Sequence, residues 1–229
     1  MNPKIGLLER ENEVIRLIGL FLENNLIFVV IGGYAISTYK KRFSVDLDVV
    51  IKEADFLNFE KLLLKEGYSI NYEKEIDVLY GENFKRFVKK MNNLPVYVDL
   101  LINGLVSRTT NASWSFESID KNSQKRKLNN LEFLTPAKEL LTSMKIHSGR
   151  LSDVRDIIVL MPCNKNKLKT FLLRGDLDKL RMLMKKQALF LDKPQFDDSF
   201  KGIFGVQAYK QNEIESARKL FRDLLKEIK

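Results

Sequence analysis

Two apolar rhythms alternate along this chain. Leu7, Leu8, Val14, Ile15, Ile18, Phe21 and Leu22 recur at helical spacing with charges between them, which predicts an amphipathic helix over residues 6–24. The short β-branched run from Leu26 to Ile31 stops at Gly32-Gly33 and predicts a buried strand, a tight turn and a short helix. From residue 46 the period becomes two, with Leu47, Val49 and Ile51 on one strand face and Asp46 and Asp48 on the other. A helix over residues 55–66 turns Phe56, Phe59, Leu62 and Leu63 inward and ends at Gly67. Residues 83–90 carry a weak strand pattern and residues 96–102 a strong one, with Asn92-Asn93-Leu94-Pro95 as the turn. Residues 107–130 are polar and read as a loop excursion bearing Lys121, Lys125, Arg126 and Lys127.

Beyond that stretch the pattern is helical. Thr135-Pro136 is expected to open a helix that runs to Ser148, since threonine suits the cap and proline the first helical position. Further helices are expected from Ser152, from Asp176 and over residues 212–228, the last with Ile214, Ala217, Leu220, Phe221, Leu224, Leu225 and Ile228 on one core-facing stripe. The expected organisation is a mixed α/β (α+β) core over residues 1–134 and an all-helical region over residues 135–229.

Candidate chemistry concentrates between Ile31 and Ile51. Glycines at a strand-to-helix turn let backbone approach a ligand, and free N–H groups there favour a phosphate. Lys40, Lys41, Arg42 and Ser44 follow, and then Asp46 and Asp48, side by side on one strand face. Neighbouring carboxylates repel unless neutralised, and a hard divalent cation carrying substrate phosphates is the usual neutraliser. The same Asp-Leu-Asp tripeptide recurs at residues 176–178, but after Gly175 and before an amphipathic pattern, where aspartate serves as a helix cap. Asp99 is the lone charge in the apolar run from Val96 to Ile102. Its burial demands a partner, either a cation in a salt bridge or a metal ion.

A Gly-Gly turn, a spacer, Asp-x-Asp and a third aspartate on a later strand resemble the nucleotidyltransferases of the DNA polymerase beta superfamily. Lys145, Arg150, Asp153 and Asp156 form the string K-x4-R-x2-D-x2-D. Helix-dipole complementarity accounts for all four. The string also resembles the downstream motif of the AbiEii-like branch, the toxins of type IV toxin–antitoxin and abortive-infection systems, with Ser152 where that branch has lysine. The resemblance spans roughly residues 25–160. It implies a nucleotidyltransferase-fold mixed sheet flanked by helices, and transfer of a nucleoside monophosphate from an NTP to an acceptor hydroxyl. Two Mg2+ (or Mn2+) ions would be held by Asp46 and Asp48, with Asp99 completing the catalytic one. Gly32, Gly33, Arg42, Ser44 and Arg150 would lie at the phosphates and Lys145 at the triphosphate, while Asp153 or Asp156 would orient or deprotonate the acceptor.

Composition narrows the choice. One cysteine and one histidine in 229 residues exclude an internal disulfide, a cysteine-rich zinc site and a histidine cluster, so the chemistry rests on carboxylates. No apolar run approaches a membrane span and no signal segment opens the chain, so a cytoplasmic protein is expected. Charge is uneven: residues 161–229 hold 16 Lys plus Arg against 9 Asp plus Glu, whereas residues 1–160 hold 23 against 21. A basic, helical end suits a phosphate backbone. The acceptor expected from resemblance and charge together is an RNA 3′ end, tRNA foremost, with a cognate antitoxin as a further partner. The alternatives are a small-molecule or protein hydroxyl as acceptor, or a non-catalytic nucleic-acid-binding protein on the same fold.

Overall fold

Helix α1, Pro3–Glu23, turns Val14, Leu17, Ile18 and Phe21 into a core where none of the four retains any exposure. The computed structural model describes residues 3–71, 84–193 and 211–228. Strand β1 (Phe28–Val30) follows, then α2 (Gly32–Ser37), β2 (Asp46–Ile51), α3 (Phe56–Lys65), β3 (Ser69–Ile70), β4 (Phe84–Met91) and β5 (Leu94–Ile102). The five strands form one mixed sheet in the order β1-β2-β5-β4-β3, in which only β2 and β5 run parallel. Its period-two pattern decides what each face does. Leu47, Val49, Ile51, Val96, Val98 and Leu100 point to the core shared with α1 and with Phe59 and Leu63 of α3. Asp46, Asp48 and Asp99 share the opposite face. Phe21, Phe28 and Phe59 meet edge-to-face at centroid separations of 5.0–6.3 Å, a favoured aromatic geometry that clamps α1 and α3 to the strands.

The weak strand over residues 83–90 is β4, and Asn83 lies outside the described residues. Its turn into β5 is tighter than expected: Met91 pairs with Leu94, and Asn92 and Asn93 both take positive φ, the pattern of a two-residue hairpin turn. The reading of residues 107–130 as a loop is corrected. Strand β6 (Gly104–Val106) pairs with β7 (Ser113–Ser115), helix α4 spans Phe116–Lys121, and β8 (Ser123–Leu128) forms a hairpin with β9 (Leu131–Pro136). Polar residues make these strands because pairing, the Asn129-Asn130 turn and the buried Phe133 supply what local propensity lacks. The hairpin also displaces the expected helix start. Thr135 and Pro136 are consumed as the end of β9, so α5 begins at Lys138 with Ala137 as its cap.

The chain divides into two compact units, one of Met1–Thr38, Phe43–Leu105 and Trp114–Pro136, the other of Tyr39–Arg42, Val106–Ser113 and Ala137–Lys229. The second unit holds α5 (Lys138–Ser148), α6 (Asp153–Val159), α7 (Lys165–Leu172), α8 (Leu177–Leu191) and α9 (Gln211–Glu227), packed around Ile146, Ile157, Leu168, Leu180, Met184 and Phe221. Asp176 caps α8 by accepting from the Lys179 N–H at 3.0 Å, as expected for the second Asp-Leu-Asp. Among the described residues no helix is long and apolar enough to cross a membrane.

His147 is fully buried in this second unit, with Nδ1 2.7 Å from Thr110 Oγ1 and Nε2 2.9 Å from the Leu172 carbonyl. A carbonyl only accepts, so Nε2 carries the proton and Nδ1 accepts from the threonine hydroxyl. Burial pushes the imidazole down to about 4, against the Leu172 bond, which favours the charged form. The unfolded chain therefore takes up this proton first as pH falls. Stability is expected to be level above pH ~6.5 and to decline from there to about pH 4, by ~3 kcal/mol at the bottom of that window. Urea midpoints at stepped pH check this, since His147→Gln should lose that part of the acid dependence.

Candidate active site

The parallel register of β2 and β5 places Asp48 directly beside Asp99 and Asp46 beside Tyr97. Since paired residues in a ladder share a face, Asp46 and Asp48 stand on one side of the sheet with Asp99, which lies 51 positions beyond Asp48 in the chain. Asp46 and Asp48 are half-buried, and Asp99 is 2% exposed. The backbone before them is built for close approach. Ile31 donates its N–H to the Asp48 carbonyl at 3.0 Å, and Gly32 follows at φ +63 to begin α2. A Cβ on Gly32 would stand 1.9 Å from Asp48 Oδ2, so with the carboxylate where it is, glycine is favoured at position 32 by this contact as well as by its positive φ. Ser44 belongs to the same scaffold: its carbonyl accepts from the Tyr34 hydroxyl at 2.9 Å and its hydroxyl lies 3.4 Å from the Asp46 carbonyl.

Asp99 has a cation partner that the sequence did not reveal. Arg86 of β4, its register partner, donates Nε to Oδ1 at 2.7 Å and Nη2 to Oδ2 at 2.6 Å. Burial raises the pKa of the Asp99 carboxyl, Arg86 opposes that, and the Asp46 charge adds to it, leaving it above the ordinary carboxylate value. The influence of Asp46 shows that these acids act on one another. Asp46 and Asp48, two oxygen-ligand carboxylates on one strand face, are of the donor type that suits a hard divalent cation. As it stands Asp99 is turned to Arg86, and among the described residues no three acidic, histidine or cysteine side chains gather to hold a metal.

The remaining sequence candidates meet in the second unit, as one ion-pair network. Lys145 is buried on α5 and donates to Asp153 Oδ1 at 3.0 Å and to Asp156 Oδ2 at 2.7 Å. Arg42 grips both oxygens of Asp156 at 2.5 and 2.7 Å, and Arg150 Nε and Ser148 Oγ reach Asp153 Oδ2 at 2.9 and 2.5 Å. Burial works to raise the Asp153 carboxyl, but the charges of Lys145 and Arg150 and the Ser148 bond bring it to about 2. Burial likewise works against the Lys145 ammonium, and Asp156 and Asp153 keep it charged, above the usual lysine range. Lys145 in the last turn of α5 and Asp153 and Asp156 in the first turn of α6 suit helix-dipole complementarity, and these side chains also bind each other. The Lys145 ammonium serves both carboxylates and Arg42 serves Asp156, whereas Arg150, 60% exposed, is open to solvent.

A five-stranded mixed sheet with Asp-x-Asp on the strand after a glycine turn, followed by a largely helical region, is the nucleotidyltransferase fold. Over its full length the chain matches the crystal structure of a candidate nucleotidyltransferase from H. pylori, at 15% identity, 97% coverage of that protein and a TM-score of 0.51. Two further structures match more loosely, both at a TM-score of 0.49. One is the lincosamide antibiotic adenylyltransferase LnuA with lincomycin bound, 17% identical over 67% of this chain and 98% of its own. The other is ANT(2'')-Ia in complex with adenylyl-2''-tobramycin, 12% identical over 76% of this chain and 97% of its own. No family model matches the chain, and no curated protein matches it.

Gly32→Ala tests the shelter around Asp48. The substitution meets both a positive φ and a sub-van-der-Waals contact, so it is expected to cost ~1–3 kcal/mol of stability and to displace the Asp48 carboxylate. Chemical denaturation together with a Mn2+ titration reads both effects. Gly33→Ala, within α2 and free of that contact, serves as the comparison and should be milder.

Proposed function

We propose that this protein is a metal-dependent nucleotidyltransferase whose core, residues 1–134, moves a nucleoside monophosphate from an NTP to an acceptor hydroxyl. The observation that carries the reading is the in-register placement of Asp48 and Asp99 on adjoining parallel strands, with Asp46 on the same face and Gly32 opening the backbone beside it. In the reaction the acceptor oxygen bonds to the α-phosphorus, the bond from that phosphorus to the bridging oxygen breaks, and pyrophosphate leaves. A bound Mg2+ would supply charge neutralisation on the triphosphate and a lowered pKa at the attacking hydroxyl. Asp46 and Asp48 would hold it, with Asp99 as the third ligand. Gly32, Gly33 and Ser44 would bring backbone and hydroxyl to the phosphates. By the resemblance, Arg42, Lys145 and Arg150 would serve in phosphate binding, with Asp153 or Asp156 toward the acceptor.

The acceptor we favour is an RNA 3′ end, tRNA foremost, as in the AbiEii-like toxins, on the strength of the Lys145–Asp156 string and the basic helical end. A cognate antitoxin belongs to the same reading. Part of that basic charge is paired with acids at the surface. Lys165 and Lys169 pair with Glu227, and Arg218 with Asp192 and Glu215. Lys185 and Lys186 of α8 are exposed.

Incubation with Mg2+, each labelled NTP and either total RNA, small hydroxylated compounds or protein separates the acceptor classes by which material gains label. Asp46→Asn is expected to abolish labelling while the fold persists, because removing one of two adjoining carboxylates relieves repulsion. Retention of most activity by that variant at saturating Mg2+ would overturn the mechanism. The acceptor has its own test. Reversing Arg181, Lys185 and Lys186 to Glu is expected to weaken RNA binding and to lower its log–log salt slope by roughly 0.7–0.9 for each lost phosphate contact. An unchanged slope turns the choice to a small-molecule or protein acceptor.

A further inference from the structure

Arg86 occupies a built seat. Its guanidinium lies 4.8 Å from the centroid of the Tyr97 ring and 5.8 Å from that of Phe84, so aromatic faces hold the fork while it grips both oxygens of Asp99. Tyr97 is itself the register partner of Asp46. The pair is shielded, with 16% and 2% of the two side chains exposed, and it is fixed by the ladder because residues 86 and 99 are opposite one another. A divalent cation arriving at Asp99 would meet a guanidinium already bound to the same carboxylate. Like charges that close, in a shielded setting, repel strongly. A planar fork that matches a carboxylate also matches phosphate oxygens.

We infer that Arg86 is a built-in counter-ion for Asp99, standing in the place of a metal ion, so that a divalent cation gains Asp99 only when Arg86 releases it to a nucleotide phosphate. The inference rests on the metal reading of Asp46 and Asp48 and adds an order of events: without nucleotide, Asp46 and Asp48 alone take the cation. Arg86 is thereby a positioning residue that makes metal occupancy depend on nucleotide.

Counting free Mn2+ by electron paramagnetic resonance on the full chain, without nucleotide, tests this. Arg86→Gln keeps a donor toward Asp99 and removes the charge, and is expected to tighten Mn2+ binding by roughly tenfold or more. Asp99→Asn in the same background should cancel that gain, and Arg86→Lys should stay close to the original protein. Equal Mn2+ affinity in the original protein and a folded Arg86→Gln overturns the inference. The unaltered protein provides a second measurement: the Arg86 Nε–H resonance should shift when Mg2+ and a non-hydrolysable NTP are added together and stay in place with Mg2+ alone. An unmoved resonance at saturation overturns the inference whatever becomes of the variants. Absence of Mn2+ binding in every form removes the metal reading itself, an outcome distinct from equal binding.

Discussion

The parallel pairing of β2 with β5 is the constraint on which the site depends. In a ladder of period two, a slip of one residue would send Asp99 into the apolar core and Val98 or Leu100 to the acidic face. The core forbids that slip: Val96, Val98 and Leu100 are fully buried beside Leu47, Val49 and Ile51, so hydrophobic burial sets the register and the register sets the spacing of the carboxylates. Chemistry on one face is thus held in place by packing on the other. The antiparallel pairing of β4 extends the same row to Arg86, and the result is an acid, an acid and a base in sequence across three strands.

Burial gives the two polar clusters different characters. At Asp99, desolvation and the neighbouring Asp46 outweigh the cation that grips it, so the charge is held under tension. At Asp153, Lys145 and Arg150 outweigh desolvation, so the charge is held at ease. A buried ion pair adds little net stability, but removing one partner is costly. Removing Lys145 would therefore leave two buried carboxylates short of a partner, and removing Arg86 one.

Much of this was legible in the residues. The strand before Gly32-Gly33, the alternation through Asp46 and Asp48 and the capping role of Asp176 each rest on local patterns, and the structure has all three. The aspartate at 99 was readable as needing a partner because a lone charge in an apolar run is costly anywhere. Its partner was not readable. Arg86 sits in Phe-Lys-Arg-Phe-Val-Lys-Lys, where three further basic residues offer themselves equally, and only the register selects one. The β8–β9 hairpin escaped for a related reason: Ser-Gln-Lys-Arg-Lys-Leu has no strand propensity of its own, and the partner strand supplies the order. Arg42 and Asp156, 114 positions apart, are joined by a fold that no spacing rule encodes.

The contact between Gly32 and Asp48 carries an evolutionary consequence. Position 32 is held to glycine twice over, by its φ of +63 and by the Asp48 carboxylate, which a β-carbon would force to move. Loss of the acid would remove the steric half of that constraint and leave the backbone half, so glycine would stay favoured at 32 even in a lineage that had lost Asp48. Glycine at 32 is thus the weaker sign that the site is kept, and aspartate at 48 the stronger.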